Sequence, residues 1–219
     1  MTIWFATGNA HKKAELAAIL GEHGLRCKLL IPRDAGLDFD PEETGNSFQE
    51  NAHLKARELY TLLYSKRPAL FTAGDPIIAD DSGICVDALD GRPGIYSARY
   101  AGAAALQDSV HPAKLESQQR NALLLEELGS TERRGARFVC AMVLLFSPDR
   151  FILVQETCEG EVVKSMELAK GTGGFGYDPV LYIPEYGRTV AELSEQEKNT
   201  ISHRAKAGKA IAELLLAKN

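Results

Sequence analysis

The sequence predicts an α/β or α+β fold built on a mixed sheet, and three observations carry that reading. Segments with helical and strand periodicity interleave along the chain. Two apolar runs, 138–146 and 151–157, are separated only by Ser147-Pro148-Asp149-Arg150, which makes them an antiparallel pair and the sheet mixed. The chain has 219 residues, 45 % apolar and 25 % charged, enough for one large domain or two closely joined lobes around a real core.

Each element has its own signal. Residues 2–6 are a β-type run that stops at Thr7-Gly8-Asn9. A helix follows over about 10–23, with Ala14, Leu16, Ala17, Ile19 and Leu20 as its buried stripe and Gly24 as its stop. Residues 27–31 read as a second strand, ended by Pro32. Ser47-x-x-Glu50 is a capping box that opens a helix to about Ser65, with Ala52, Ala56, Leu59 and Leu63 on one face. Residues 77–79 form a short apolar strand running into Asp80-Asp81-Ser82-Gly83, and 84–89 read as another. A helix from about 112 to 128 carries Leu115, Ala122, Leu123 and Leu125. The last helix begins after Ser202 and runs to about 217.

Composition narrows the function classes. The formal net charge is −5, whereas a duplex-binding protein carries a basic excess, so polymeric nucleic acid is disfavoured as a partner. A small phosphorylated ligand is not, because a local basic pocket can sit on an acidic protein. No apolar run approaches the roughly 20 residues that span a bilayer, and no membrane partner is expected. The first six residues reach a polar loop too soon for a signal peptide. Cys27, Cys85, Cys140 and Cys158 have no metal-site or redox spacing, so the expected location is the reducing cytoplasm.

Five segments carry candidate chemistry. Thr7-Gly8-Asn9-Ala10-His11-Lys12 stands at a strand-to-helix junction, where free N–H groups, a helix dipole and the Lys12 charge suit a phosphate. Asn9 as a simple N-cap and Gly8 as a turn residue explain the same letters. Asp80-Asp81-Ser82-Gly83 follows an apolar strand. Strand alternation sends the two aspartates to opposite faces, so one can hold a divalent cation or take a proton from water while the other pairs locally. An Asx-type turn accounts for that string without chemistry. Glu42 and Glu43 in Pro41-Glu42-Glu43-Thr44-Gly45 can complete an oxygen-rich cation site with Asp81, while Lys55 on the next helix has a solvated surface lysine as its plain alternative. Gly171-Thr172-Gly173-Gly174-Phe175-Gly176-Tyr177-Asp178 can wrap a flat ligand: Phe175 and Tyr177 offer faces, and Asp178 offers an acceptor for a base edge. The plain reading is a glycine-rich hairpin with its aromatics in the core. Finally, Lys198, His203 and Arg204 surround a helix start, against the preference for acids there, which points to an anionic or polar ligand. Taken together, cations, carboxylates and an aromatic loop are what a nucleotide needs.

The ordered strings TGNAHKKAEL, EETGNSFQENAHLKA, IADDSG, GRPGIYSARYAG, GTGGFGYDPV and AELSEQEKNTISHRAKA resemble the inosine triphosphate pyrophosphatase family, the XTP/dITP diphosphatases that act on non-canonical purine nucleotides. The resemblance extends from residue 6 to about 207. It implies a single domain over 1–219 in two lobes, an α/β fold with a long mixed sheet flanked by helices, and an active cleft between the lobes. It also implies a homodimer and Mg²⁺-dependent hydrolysis of dITP, ITP and XTP to monophosphate and pyrophosphate. Carried over by motif, Thr7, Gly8, Asn9, Ala10, His11, Lys12 and Lys55 contact the phosphates. Asp81 is the general base and, with Glu43, a metal ligand; Ser82 touches the substrate. Phe175, Gly176, Tyr177 and Asp178 hold the base, and Lys198, His203 and Arg204 complete the pocket. Residues 64–76 and 103–115 are longer than the commoner bacterial pattern. Two rivals stand: a pyrophosphatase for modified pyrimidine or methylated nucleotides, and a non-catalytic nucleotide-binding module.

Overall fold

The computed structural model describes residues 1–102 and 115–217. It is an α/β fold with a seven-stranded sheet in the order β2-β1-β3-β4-β5-β6-β7. The strands are β1 (Thr2–Phe5), β2 (Lys28–Leu30), β3 (Ile77–Val86), β4 (Gly135–Ser147), β5 (Arg150–Val162), β6 (Leu181–Ile183) and β7 (Arg188–Thr189). The helices are α1 (Ala10–Glu22), α2 (Phe48–Lys66), α3 (Ser117–Leu128), α4 (Glu195–Ile201) and α5 (His203–Leu216). β1 is parallel to both β2 and β3, whereas β6 is antiparallel to β5 and β7, so the sheet is mixed as the sequence predicts. β4 and β5 are neighbours joined only by Pro148 and Asp149, a link too short for anything but a hairpin.

The chain divides into two compact units. The first comprises residues 1–81, 140–156 and the C-terminal segment from His203. Its core joins Ile3 and Phe5 of β1, Leu16 and Leu20 of α1, Ile78 of β3, Met142 and Leu144 of β4, and Ile211 and Leu215 of α5. α1 and α5 approach closely at Gly208, where a methyl group would meet Ile19 at 2.8 Å. The second unit runs from Ser82 to Val139 and from Thr157 to Ser202. There Ile84 and Val86 of β3 pack with Leu124, Leu125 and Leu128 of α3, Phe138, Val162, Tyr177 and Leu181.

The structure departs from the sequence reading at several points. Residues 77–79 and 84–89 are not two strands: β3 is continuous from Ile77 to Val86, and Asp80-Asp81-Ser82-Gly83 lies inside it rather than in an Asx-type turn. The strand can carry two acids through the interior because each acid has cationic partners there, as described below. β6, β7 and α4 were not predicted; β6 and β7 have three and two residues, too few to show a period. The predicted 112–128 helix begins at Ser117, and its first three residues lie outside the described set. Of the two longer stretches, 103–114 also lies outside it; 64–76 continues α2 and then sets Phe71 edge-on to Trp4 and Tyr64.

Candidate active site

The first-unit site starts at the end of β1. Asn9 caps α1 by accepting from the His11 and Lys12 backbone N–H groups at 2.8 and 3.3 Å, and Thr7 Oγ1 accepts from the Asn9 N–H at 3.1 Å. Such a cap contributes about 1 kcal/mol to the helix. Gly8, Asn9, Ala10 and His11 are exposed. Gly8 has no positive φ, and a Cβ on it would meet only the Phe39 carbonyl, at 3.9 Å. Nothing in the fold itself therefore demands glycine at this position. Thr7, Gly8, Asn9 and Lys12 line a cavity of about 210 Å³ together with Glu43, Lys55 and Asp80.

α2 brings in the next groups. Ser47 Oγ accepts from the Glu50 N–H at 3.1 Å, but the Glu50 carboxylate takes the Asn46 N–H rather than that of Ser47, so half of the predicted box forms. The helix buries Asn51, Ala52, Lys55, Ala56, Leu59 and Leu63 on one face. Lys55 is thus not a solvated lysine: it is 7 % exposed. Its ammonium donates to Asp81 Oδ1 at 2.9 Å and to Glu43 Oε1 at 3.0 Å. Asn51 donates from Nδ2 to Asp81 Oδ2 at 3.1 Å and accepts the Gly45 N–H at 2.8 Å, tying the Glu43 loop to the strand. A Cβ on Gly45 would lie 2.7 Å from Asn51 Oδ1, so the loop closes this tightly only with glycine.

Asp80 faces the other way, as strand alternation requires. Lys12 Nζ donates to both of its oxygens at 3.0 Å, and Arg204 reaches Oδ2 with Nε at 3.2 Å and Nη2 at 3.0 Å. Arg204 Nη1 donates to Glu15 at 2.7 Å. Burial alone would raise the Asp80 carboxyl, but Lys12, Arg204 and Lys55 outweigh it and hold it well below the usual carboxylate range. Asp81 goes the opposite way: burial and the Glu43 charge lift it above its ordinary value despite Lys55. Burial would lower the Lys55 ammonium, yet Asp81, Asp80 and Glu43 together raise it, so it stays charged. Of two adjacent acids, one is held ionised by its cations and the other has a raised proton affinity. Ser82 follows in the same strand, half-buried.

The glycine-aromatic loop belongs to the second unit. It divides its two aromatics. Phe175 is 44 % exposed, whereas Tyr177 is buried in the core and donates its hydroxyl to the Ser97 carbonyl at 3.1 Å. The expected base face of Tyr177 is therefore replaced by the plain core reading for that residue. The buried Asp178 accepts the Phe175 N–H at 2.9 Å and the Lys198 ammonium at 2.8 Å, and Lys198 Nζ also stands 5.4 Å from the Phe175 ring centroid. Gly174 makes this fit possible: its φ is +76°, and a Cβ there would overlap Asp178 Oδ2 at 1.9 Å.

Arg204 and His203 lie at the start of α5. His203 is buried. Arg204 was expected in the base pocket; instead it is 1 % exposed, and its guanidinium is taken up by Asp80 and Glu15. The apparent mismatch of an arginine at a helix start is resolved by the protein's own carboxylates. Asn51 was missed in the sequence. Its signal was there, since Asn51 and Lys55 stand four residues apart on the same face as Ala52, Ala56, Leu59 and Leu63.

Residues 3–214 match the model of the Ham1 family. The chain is 42 % identical over 207 residues to the dITP/XTP pyrophosphatase of Treponema denticola, covering 94 % of each chain. It is 46 % identical over 212 residues to the protein of the same name from Geobacillus kaustophilus, covering 94 % of this chain and 89 % of that one. The solved structure of the Staphylococcus aureus Ham1 protein is similar across the whole of both chains, with a TM-score of 0.79 and 33 % identity. The chain is a member of the Ham1 family.

Proposed function

We propose that this protein is a nucleoside triphosphate pyrophosphatase that hydrolyses non-canonical purine nucleotides, dITP, ITP and XTP, to the monophosphate and pyrophosphate. The Treponema denticola and Geobacillus kaustophilus relatives are named dITP/XTP pyrophosphatases. The single observation that carries the reading is the placement of Glu43 and Asp81 on one ammonium, that of Lys55. Two carboxylates and a cation beside an α1 N-terminus suit a triphosphate tail.

Mg²⁺ fits this site: two hard carboxylate oxygens already gather around one positive charge, and substrate phosphates and water are the usual remaining donors for that ion. Glu43 and Asp81 would hold it, and when bound it neutralises phosphate charge. The protein's own groups do the rest. The Thr7–Lys12 turn receives the phosphates, and the absence of any fold requirement for Gly8 supports close approach of a ligand there. Asp81 takes a proton from the attacking water as the α–β anhydride bond breaks and pyrophosphate leaves. Ser82 contacts the substrate. Lys12 and Lys55 offset the charge that builds on the leaving group. Asp80 and Arg204 hold Lys12 in place without contacting substrate.

Phe175 stacks on the base, with Gly176, Tyr177 and Asp178 setting its position, and Lys198 beside it offers a donor to the keto oxygen at position 6, which adenine lacks. His203 is a further candidate donor to the base. A homodimer in the cytosol completes the reading; among the described residues no helix is long and apolar enough to cross a membrane, and none of the four cysteines forms a disulfide.

A divalent-dependent assay of pyrophosphate release tests the proposal. ITP, XTP and dITP must turn over well ahead of GTP and ATP. Preference for a modified pyrimidine or methylated nucleotide moves the assignment to that class; binding without turnover makes the protein a nucleotide-binding module.

A further inference from the structure

Asn121 lies on α3 among Leu124, Leu125 and Leu128, on the face that packs into the second-unit core. It is 3 % exposed. An amide in such a row is costly unless both of its ends are hydrogen-bonded. Only one end is: Nδ2 donates to the Gly176 carbonyl at 3.2 Å, while Oδ1 is buried with no hydrogen-bond partner among the described residues. A leucine of similar shape would suit the packing better, so core stability does not account for asparagine here.

Its one bond lands inside the glycine-aromatic loop. Gly176 has φ +65° and sits between Phe175, with its exposed ring, and Tyr177, pinned by its hydroxyl to the Ser97 carbonyl. Two residues on, Asp178 binds both the Phe175 N–H and Lys198. Gly176 therefore links the anchored tyrosine to the exposed phenylalanine, and Asn121 reaches its carbonyl from α3.

We propose that Asn121 is a positioning residue for base selection: it fixes the Gly176 peptide and so sets how Phe175 and the Asp178–Lys198 pair meet the base. This rests on the purine-nucleotide reading given above. Asn121→Leu removes the donor and the orphaned acceptor together, and Asn121→Asp removes the donor at nearly constant size. In either variant the ratio of kcat/KM for ITP over ATP should fall about threefold to tenfold, the loss of one neutral hydrogen bond, with the change in KM rather than kcat. Backbone amide exchange across 174–178 should speed up by a similar factor, and for Asn121→Leu the melting temperature should hold. Unchanged exchange in that loop overturns the proposal. So does a parallel loss of ITP and ATP turnover with a lowered melting temperature, which is what a purely structural role gives. If the wild-type protein shows no preference for ITP, the substrate reading fails on its own, while the exchange rates still decide whether Asn121 holds the loop.

Discussion

Asp80 and Asp81 are adjacent in β3, yet their carboxylates take different partners: Asp80 is held by Lys12 and Arg204, Asp81 by Lys55 and Asn51. The separation follows from strand alternation, which sends neighbours to opposite faces. It leaves one acid permanently ionised and the other with a raised proton affinity, and the predictions below test that division.

Asp81→Asn should reduce pyrophosphate release from ITP by at least about 100-fold, the usual scale for loss of a general base. An asparagine keeps the shape but turns its NH2 toward Asn51 Nδ2 or the Lys55 ammonium, both donors, so the melting temperature should also fall, and turnover is compared per folded molecule. Undiminished turnover would remove Asp81 from the mechanism.

Arg204→Met should act on the fold more than on the chemistry. It leaves the buried Asp80 with Lys12 but without its arginine, and breaking a buried pair in this way costs about 3–5 kcal/mol. Arg204→Lys should recover only part of that loss, because one ammonium cannot span both Asp80 and Glu15. Urea denaturation midpoints measure both. A loss under about 1 kcal/mol, the scale of an exposed pair, contradicts the burial argument.

Lys55→Met should make stability depend on divalent cations. Without the shared ammonium, Glu43 and Asp81 face each other uncompensated, and the melting temperature in a chelator should fall below that of the wild type. Added Mg²⁺ should raise it by more in the variant than in the wild type. An equal response in both proteins would mean that the two carboxylates do not form one cation site.

Gly174→Ala and Gly176→Ala form a matched pair. Both glycines have positive φ, so each substitution carries the left-handed penalty of about 1–2 kcal/mol. Only Gly174→Ala also drives a methyl into Asp178 and within 2.9 Å of Lys198 Nζ, whereas a Cβ on Gly176 meets nothing within 4 Å. The KM for ITP should therefore rise much more in Gly174→Ala, while stability falls in both. Equal KM values would show that the Asp178–Lys198 pair does not contribute to binding.

The sequence by itself determined the alternation of helices and strands, the hairpin, the caps at Asn9 and Ser47, and the segments that could carry chemistry. These are local properties: periodicity, turn residues and cap residues act within a few positions of one another. Only the tertiary structure decided which partner each charged or aromatic group takes. Lys55 looked like a surface lysine until its helix face was buried against Asp81. Arg204 looked like a ligand contact until Asp80, distant in sequence, and Glu15 were found on its guanidinium. Phe175 and Tyr177 have the same kind of side chain in the same loop, and only packing against Ser97 sends one inward. Pairings between residues far apart along the chain depend on long-range closure of the fold, and no local pattern encodes their distances.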